Sequence, residues 1–154
     1  MWLSLKNPSY PEAIYQSDVG IMCLDVNPTK SYLTACGLYD GSVVIYNMNE
    51  NRETYLFRSL PKNSHTEPVW SIKWLDNDVE DRLCFCSISP DGKVTLWTLN
   101  KNELVPSTLL ELRENDRALS GICFAFHPTD SSLYLCGTEE GTLFKCKFSL
   151  KLQW

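Results

Sequence analysis

Two histidines, His65 and His127, and seven cysteines are the residues with the most chemical potential in this 154-residue chain. Cys84-Phe-Cys86 together with either histidine would offer the sulfur and nitrogen ligands that zinc takes. The spacing argues the other way. Cysteines at i and i+2 lie on one face of a strand, and no second Cys-x-x-Cys completes the usual paired set. The pattern favours thiols packed as small hydrophobes. General acid–base chemistry needs a histidine and carboxylates held at reacting distance. Here the carboxylates are scattered, and the acidic stretch Asp76-Asn-Asp-Val-Glu-Asp81 and the pair Glu139-Glu140 read as a solvated loop and a turn. No residue is assigned as catalytic, metal-binding or cofactor-binding, and no cofactor is expected.

Composition bounds the remaining possibilities. A hydrophobic content of 44% with 21% charged residues is a soluble globular profile. The net charge of −5 and the lack of any Lys/Arg cluster disfavour a nucleic-acid partner. Apolar runs of only a few residues leave nothing to span a membrane. The opening Met-Trp-Leu-Ser-Leu-Lys has no signal-peptide core, and an odd number of cysteines fits free thiols in a reducing compartment. Cytoplasm is the expected location.

The elements that position these residues are hairpins. Ser87 to Trp97 reads as a strand end, an Asp91-Gly92 turn and a second strand with apolar Val94, Leu96 and Leu99 against polar Lys93, Thr95 and Thr98. The same hairpin is written twice more, at Tyr39-Asp40-Gly41 and at Glu139-Glu140-Gly141. The turn glycines are spaced by 51 and 49 residues. Sliding the chain by 100 residues places Cys23 on Cys123, Pro28 on Pro128, Leu33 on Leu133, Cys36 on Cys136 and Gly37 on Gly137. Each unit is predicted to hold about four short strands. The first unit reads Ile21–Val26, Leu33–Gly37, Val43–Asn47 and Glu53–Ser59. The second reads Val69–Trp74, Leu83–Ser89, a strand ending at Leu99, then Leu104–Leu112 after an Asn100–Asn102 turn. The third reads Gly121–Phe126, Leu133–Gly137 and Thr142–Phe148, stopping at Trp154. A short helical turn is an alternative for Leu109–Arg117. Antiparallel four-stranded units at this period are the signature of β-propeller blades.

The pattern resembles a WD repeat, most fully in the middle unit. There His65, Ser87, Asp91 and Trp97 match the positions that in that family form a buried hydrogen-bonded tetrad. The chemistry is sensible, because a histidine can bridge a hydroxyl and a carboxylate while a buried indole N–H gains an acceptor. The resemblance weakens elsewhere. The first unit has Cys36, Asp40 and Tyr46 at the last three positions, and the third has Cys136, Glu140 and Cys146. The Trp-Asp dipeptide itself is replaced by Trp97-Thr98, Tyr46-Asn47 and Cys146-Lys147.

Four further motifs, in one order, are similar to axonemal dynein intermediate chains: Ser4-Leu-Lys-Asn-Pro-Ser-Tyr-Pro-Glu12, Tyr39-Asp-Gly-Ser-Val-Val-Ile-Tyr-Asn47, Pro68-Val-Trp-Ser-Ile-Lys-Trp74, and Gly137-Thr-Glu-Glu-Gly141 followed by Lys145-Cys146. Trp2 lies one residue off that family's Trp-Ser-Leu-Lys. The resemblance implies a non-catalytic scaffold of a ciliary or flagellar dynein arm. Its expected partners are dynein heavy chain and other dynein intermediate and light chains, and its expected place is the axonemal cytoskeleton. A general WD-repeat adaptor is the rival reading. The expected fold is all-β: a lead-in over residues 1–18 and three blades over 19–60, 61–114 and 115–154. A closed propeller needs about four to eight blades, so the chain reads as a fragment or short isoform without the light-chain-binding region. Tyr39, Trp70 and Glu139 are candidate interface residues at the blade tips. For Trp70, alternation with Ile72 and Trp74 offers packing between blades as the competing role.

Overall fold

The computed structural model describes residues 2–4, 7–50, 53–75, 83–101, 103–130 and 132–147. Apart from one 3-10 turn at Pro61–Asn63, every regular element among them is a strand. β1 (Trp2–Ser4) and β2 (Asn7–Ala13) form an antiparallel pair at the head of the chain. β3 (Ile21–Val26), β4 (Leu33–Leu38), β5 (Val43–Asn47) and β6 (Phe57–Arg58) form the first four-stranded sheet. β7 (Ser71–Trp74), β8 (Leu83–Ile88), β9 (Lys93–Leu99) and β10 (Leu104–Glu111) form the second. A small hairpin, β11 (Arg113–Glu114) with β12 (Arg117–Ala118), leads into β13 (Gly121–Phe126), β14 (Leu133–Thr138) and β15 (Leu143–Lys147). Each sheet is an up-and-down meander.

Turn chemistry sets the register. Gly41, Gly92 and Gly141 have φ of +83°, +80° and +84°, a region where a Cβ is strained. Beside the first two, an aspartate takes the backbone: Asp40 Oδ1 accepts from Ser42 N at 3.0 Å, and Asp91 Oδ1 from Lys93 N at 2.9 Å. The internal repeat is preserved pair by pair. Cys23 lies opposite Gly37 and Leu24 opposite Cys36, as Cys123 lies opposite Gly137 and Phe124 opposite Cys136.

Two expectations need correction. Leu109–Arg117 holds no helical turn: β10 runs to Glu111 and the chain reverses through Asn115 and Asp116 at φ +48° and +64°. Asn and Asp tolerate that conformation through their short polar side chains, so the segment closes as a hairpin. The fourth strand of the first sheet is two residues long, where Glu53–Ser59 was expected. The third sheet has three strands among the described residues, the number read for that unit from the sequence. The acidic loop from Asp76 lies outside the described residues, as do Asn102, Phe148 and Trp154.

The sheets pack face to face. Ile72 and Trp74 of β7 bury against Leu33, Ala35, Val43 and Ile45 of the first sheet. Polar contacts pin this seam: the Cys23 thiol donates to Val69 O at 3.2 Å, and the Trp74 indole donates to Asp25 O at 3.0 Å. The Asp25 carboxylate also accepts from Trp74 N and Lys73 Nζ, each at 2.9 Å. On the other side, Phe124, Tyr134 and Cys136 join Cys86, Ile88, Val94 and Leu96 in a second core, closed by Leu112 and Leu119. Tyr15 of the lead-in and Val19 just after it cover Cys36, Val44 and Tyr46 on the outer flank of the first sheet. Each large apolar side chain so buried contributes roughly 1.5–3 kcal/mol.

The turn glycines are not equivalent. A Cβ on Gly41 would press on the His65 carbonyl, whereas one on Gly141 meets nothing within 4 Å. Gly141→Ala is expected to cost about 1 kcal/mol from backbone strain alone, and Gly41→Ala about 2–4 kcal/mol. Urea titration of the two variants checks this; equal losses would refute the contact.

Candidate functional site

The middle sheet gathers His65, Ser87, Asp91 and Trp97 into one chain of hydrogen bonds. The Trp97 indole N–H donates to Ser87 Oγ at 2.8 Å, Ser87 Oγ lies 2.7 Å from His65 Nε2, and His65 Nδ1 lies 2.9 Å from Asp91 Oδ2. The direction is fixed at both ends. An indole only donates and a carboxylate only accepts. One arrangement satisfies every group: the histidine proton sits on Nδ1 and the serine hydroxyl donates to Nε2. Ser87 and Trp97 are fully buried and His65 nearly so.

The surroundings hold these groups in place. Trp97 stacks on Phe85 at 6.3 Å, and Phe85 meets Trp74 at 5.0 Å, so the spine continues into the seam with the first sheet. His65 is positioned by its own backbone, whose N–H donates to Gly41 O at 3.0 Å. Burial alone would raise the Asp91 carboxyl. The hydrogen bond from His65, with those from the N–H groups of Lys93 and Thr66, outweighs it and holds the carboxyl below its ordinary range.

The flanking sheets solve the same positions differently. Asp40 has no histidine; its Oδ2 accepts from Arg58 Nη2 at 2.6 Å, while Arg58 Nη1 bridges both oxygens of Asp18 at 2.9 Å. Arg58 therefore ties the lead-in, the turn and β6 together. The Tyr46 hydroxyl donates to Gln16 O at 2.9 Å, a second tie to the lead-in. In the third sheet Glu140 is more than a solvated turn residue, because both its carboxylate oxygens accept from Ser120 N at 3.1 Å.

Among the described residues, the chemistry-bearing side chains do not converge on a reaction centre. His127 Nδ1 accepts from Thr129 N and Asp130 N at 3.3 Å, doing what Asn27 Oδ1 does for Thr29 N and Lys30 N at 3.0 and 2.7 Å. It is a turn cap. All seven cysteines are free thiols. Burial pushes Cys23 up to about 11 and Cys36 and Cys136 up to about 12, which keeps them protonated and poorly nucleophilic. Among the described residues no three His, Cys, Asp or Glu side chains cluster as metal ligands would.

The surface feature that stands out is the end of the sheets where the turns lie. Tyr39 is 63% exposed and Trp70 42% exposed, and Glu139 is also exposed. Packing between blades is thus the wrong role for Trp70. The alternation that suggested it begins one residue before β7, and Trp70 sits in the approach to the strand with its N–H on Ile88 O at 3.1 Å. Sequence reasoning missed Leu60, 47% exposed beside the same turn, whose signal was an apolar residue directly before Pro61. Arg58 was also missed.

Propeller-type sheets knit by a His–Ser–Asp–Trp chain define a WD-repeat protein. Residues 11–47 match the family model "WD domain, G-beta repeat". The β-propeller domain of Cps50 (Swd1) from Myceliophteria thermophila superposes with a TM-score of 0.65 at 15% identity, over 89% of this chain and 37% of that one, which supports the fold alone. The particular family follows from the sequence matches. Dynein axonemal intermediate chain 1 of Rattus norvegicus is 40% identical over 98% of this chain. Dynein intermediate chain 2, ciliary, of Heliocidaris crassispina is 37% identical over 100%, and the 78 kDa flagellar outer arm intermediate chain of Chlamydomonas reinhardtii 38% over 98%. The chain belongs to the axonemal dynein intermediate chain family. It spans about a quarter of the length of these relatives, 23% of the rat protein and 24% of the other two.

Two predictions follow from the two kinds of clasp. Ser87→Ala strands a buried indole N–H and a buried imidazole nitrogen and is expected to cost about 2–4 kcal/mol. Arg58→Met breaks ion pairs whose aspartates are 64% and 39% exposed, and should cost no more than about 1 kcal/mol in a urea titration. A third prediction concerns pH. Because the folded Asp91 carboxyl is depressed, its stabilisation is complete above the ordinary carboxylate value of about 4 and is lost as pH falls through the folded value. The stability gap between wild type and Asp91→Asn should therefore narrow on acidification from pH 5; a constant gap would exclude the linkage.

Proposed function

We propose that the chain is a non-catalytic WD-repeat scaffold of an axonemal dynein arm. It docks on dynein heavy chain in the cilium or flagellum, beside other dynein intermediate and light chains. The observation that carries this reading is the alignment of nearly the whole chain with relatives named as axonemal, ciliary and flagellar outer-arm intermediate chains. The geometry supports it. A rigid hydrogen-bonded blade presents an aromatic end, and exposed Trp and Tyr make effective interface anchors. Docking through Tyr39, Trp70 and Glu139 leaves the tetrad His65, Ser87, Asp91 and Trp97 to hold the surface in shape. In this reading residues 1–18 lead in, and blades occupy 19–60, 61–114 and 115–154. Nucleic acid and membrane are not partners; no helix among the described residues is long and apolar enough to cross a bilayer.

The test is capture of partners from ciliated-cell extract with the tagged chain, identified by mass spectrometry. Heavy chain should be recovered with wild type and lost with a Tyr39→Ala/Trp70→Ala double variant whose thermal unfolding is unchanged. Recovery of chaperones without heavy chain would overturn the proposal.

A further inference from the structure

The end of the sheets that carries Tyr39 and Trp70 has a placement and a charge that narrow what can dock on it. Trp70 leads into the middle sheet and has a described sheet on either side of it. It is held from both directions. Val69 donates its N–H to Leu38 O at 3.1 Å, and Trp70 donates its own to Ile88 O at 3.1 Å. Side-chain size locks the same two points. A Cβ on Gly37 would lie 2.5 Å from Val69 Cγ1, so a large residue of the following sheet sits on a glycine. In the next seam the order is reversed, and a Cβ on Gly121 would lie 2.5 Å from Ile88 Cγ1. Gly37 and Ile88 hold the same place in successive sheets, as do Val69 and Gly121. Tyr39 follows Leu38 directly, with its N–H on Gly20 O at 2.9 Å. The two aromatic residues therefore leave the surface from neighbouring points of one hydrogen-bonded seam.

Carboxylates flank this aromatic pair. Glu67 is wedged between two turns: its carbonyl accepts from Ser89 Oγ at 2.9 Å and would lie 2.9 Å from a Cβ on Gly41. Glu139 holds in the third turn the position that Tyr39 holds in the first, with its N–H on Ser120 O at 2.9 Å. Both glutamates are exposed. The cations of this end are largely committed elsewhere. Arg58 is shared by Asp18 and Asp40, Arg113 is taken by Glu111, and Arg117 lies near Glu140. Lys62 and Lys93 are left outside those pairs, against Glu67, Glu114, Asp116 and Glu139, and among the described residues no cation pairs with Glu67 or Glu139. The surface around the rings is acidic and asks for a partner of opposite sign.

We propose that the Tyr39–Trp70 end takes a basic segment of the heavy chain, one that carries arginine or lysine side chains among apolar ones. This rests on the scaffold reading above and specifies its contact. Apolar side chains of the segment cover Tyr39, Trp70 and Leu60, while its cations pair with Glu67 and Glu139 and lie over the exposed rings. The probe is heavy chain from ciliated-cell extract, captured on the tagged chain at rising ionic strength. Recovery on wild type should fall steeply with salt, because charges at an exposed rim are screened over about 8–10 Å. Glu67→Gln/Glu139→Gln removes two charges at exposed positions, so thermal unfolding should stay unchanged. Its low-salt recovery should fall about tenfold and its salt dependence should flatten. Lys62→Gln, a change of the opposite sign, should leave recovery equal or higher. Capture by wild type that ignores salt, or equal capture by the double glutamate variant, would overturn the basic segment and leave the scaffold reading standing. Absence of heavy chain from the wild-type capture would overturn that reading and this proposal with it.

Discussion

The position of His65 is the constraint on which the rest depends. Its side chain belongs to the middle sheet, where it links Ser87 to Asp91, but its backbone N–H is spent on Gly41 O in the neighbouring turn. One residue thus sets the internal order of a sheet and the placement of that sheet against the one before it. The loop that carries it has little regular structure of its own, only the turn at Pro61–Asn63. Its stability is borrowed from two sheets at once. The buried Trp97 ring extends the arrangement through Phe85 and Trp74 to the Asp25 carbonyl, so hydrogen bonds and ring packing form one continuous path across the seam.

The three sheets show what happens when such a device is copied and then relaxed. Where the histidine is missing, its work is divided. Arg58 takes the carboxylate from the solvent side, Tyr46 takes a backbone carbonyl of the lead-in, and Cys36 fills the space of the serine. In the third sheet only the contact between an acidic turn residue and the approaching backbone survives, through Glu140 and Ser120 N. The buried polar path is thus concentrated in the central sheet, where neighbours on both faces exclude water and unpaired groups would be most costly.

Much of this was legible in the sequence because it is local. Asp91-Gly92 demands a turn, alternation from Val94 demands a half-buried strand, and fixed offsets from that turn locate Ser87 and Trp97. His65 was legible only through a family resemblance, since nothing near it in sequence shows what its ring touches. Arg58 was invisible for a related reason: Asp18 and Asp40 are 40 and 18 residues away, and no spacing rule joins them. The competing packing role for Trp70 arose because periodicity does not show where a strand begins. The Asn115-Asp116 reversal was ambiguous because both residues suit a hairpin turn as well as the end of a short helix.

The alternation of large and small residues at the seams has a consequence for the ancestry of the chain. Blades that arise by duplication start out interchangeable, and any one fits against any other. Here Val69 fits over Gly37 but would collide with Ile88, and Gly121 fits under Ile88 but would leave a void over Gly37. Side-chain volume has become an address that each blade carries for its neighbour. Recombination that moved a blade out of its place would be rejected at the packing stage, so the order of the repeats is protected by sterics, independently of any partner that later reads the assembled surface.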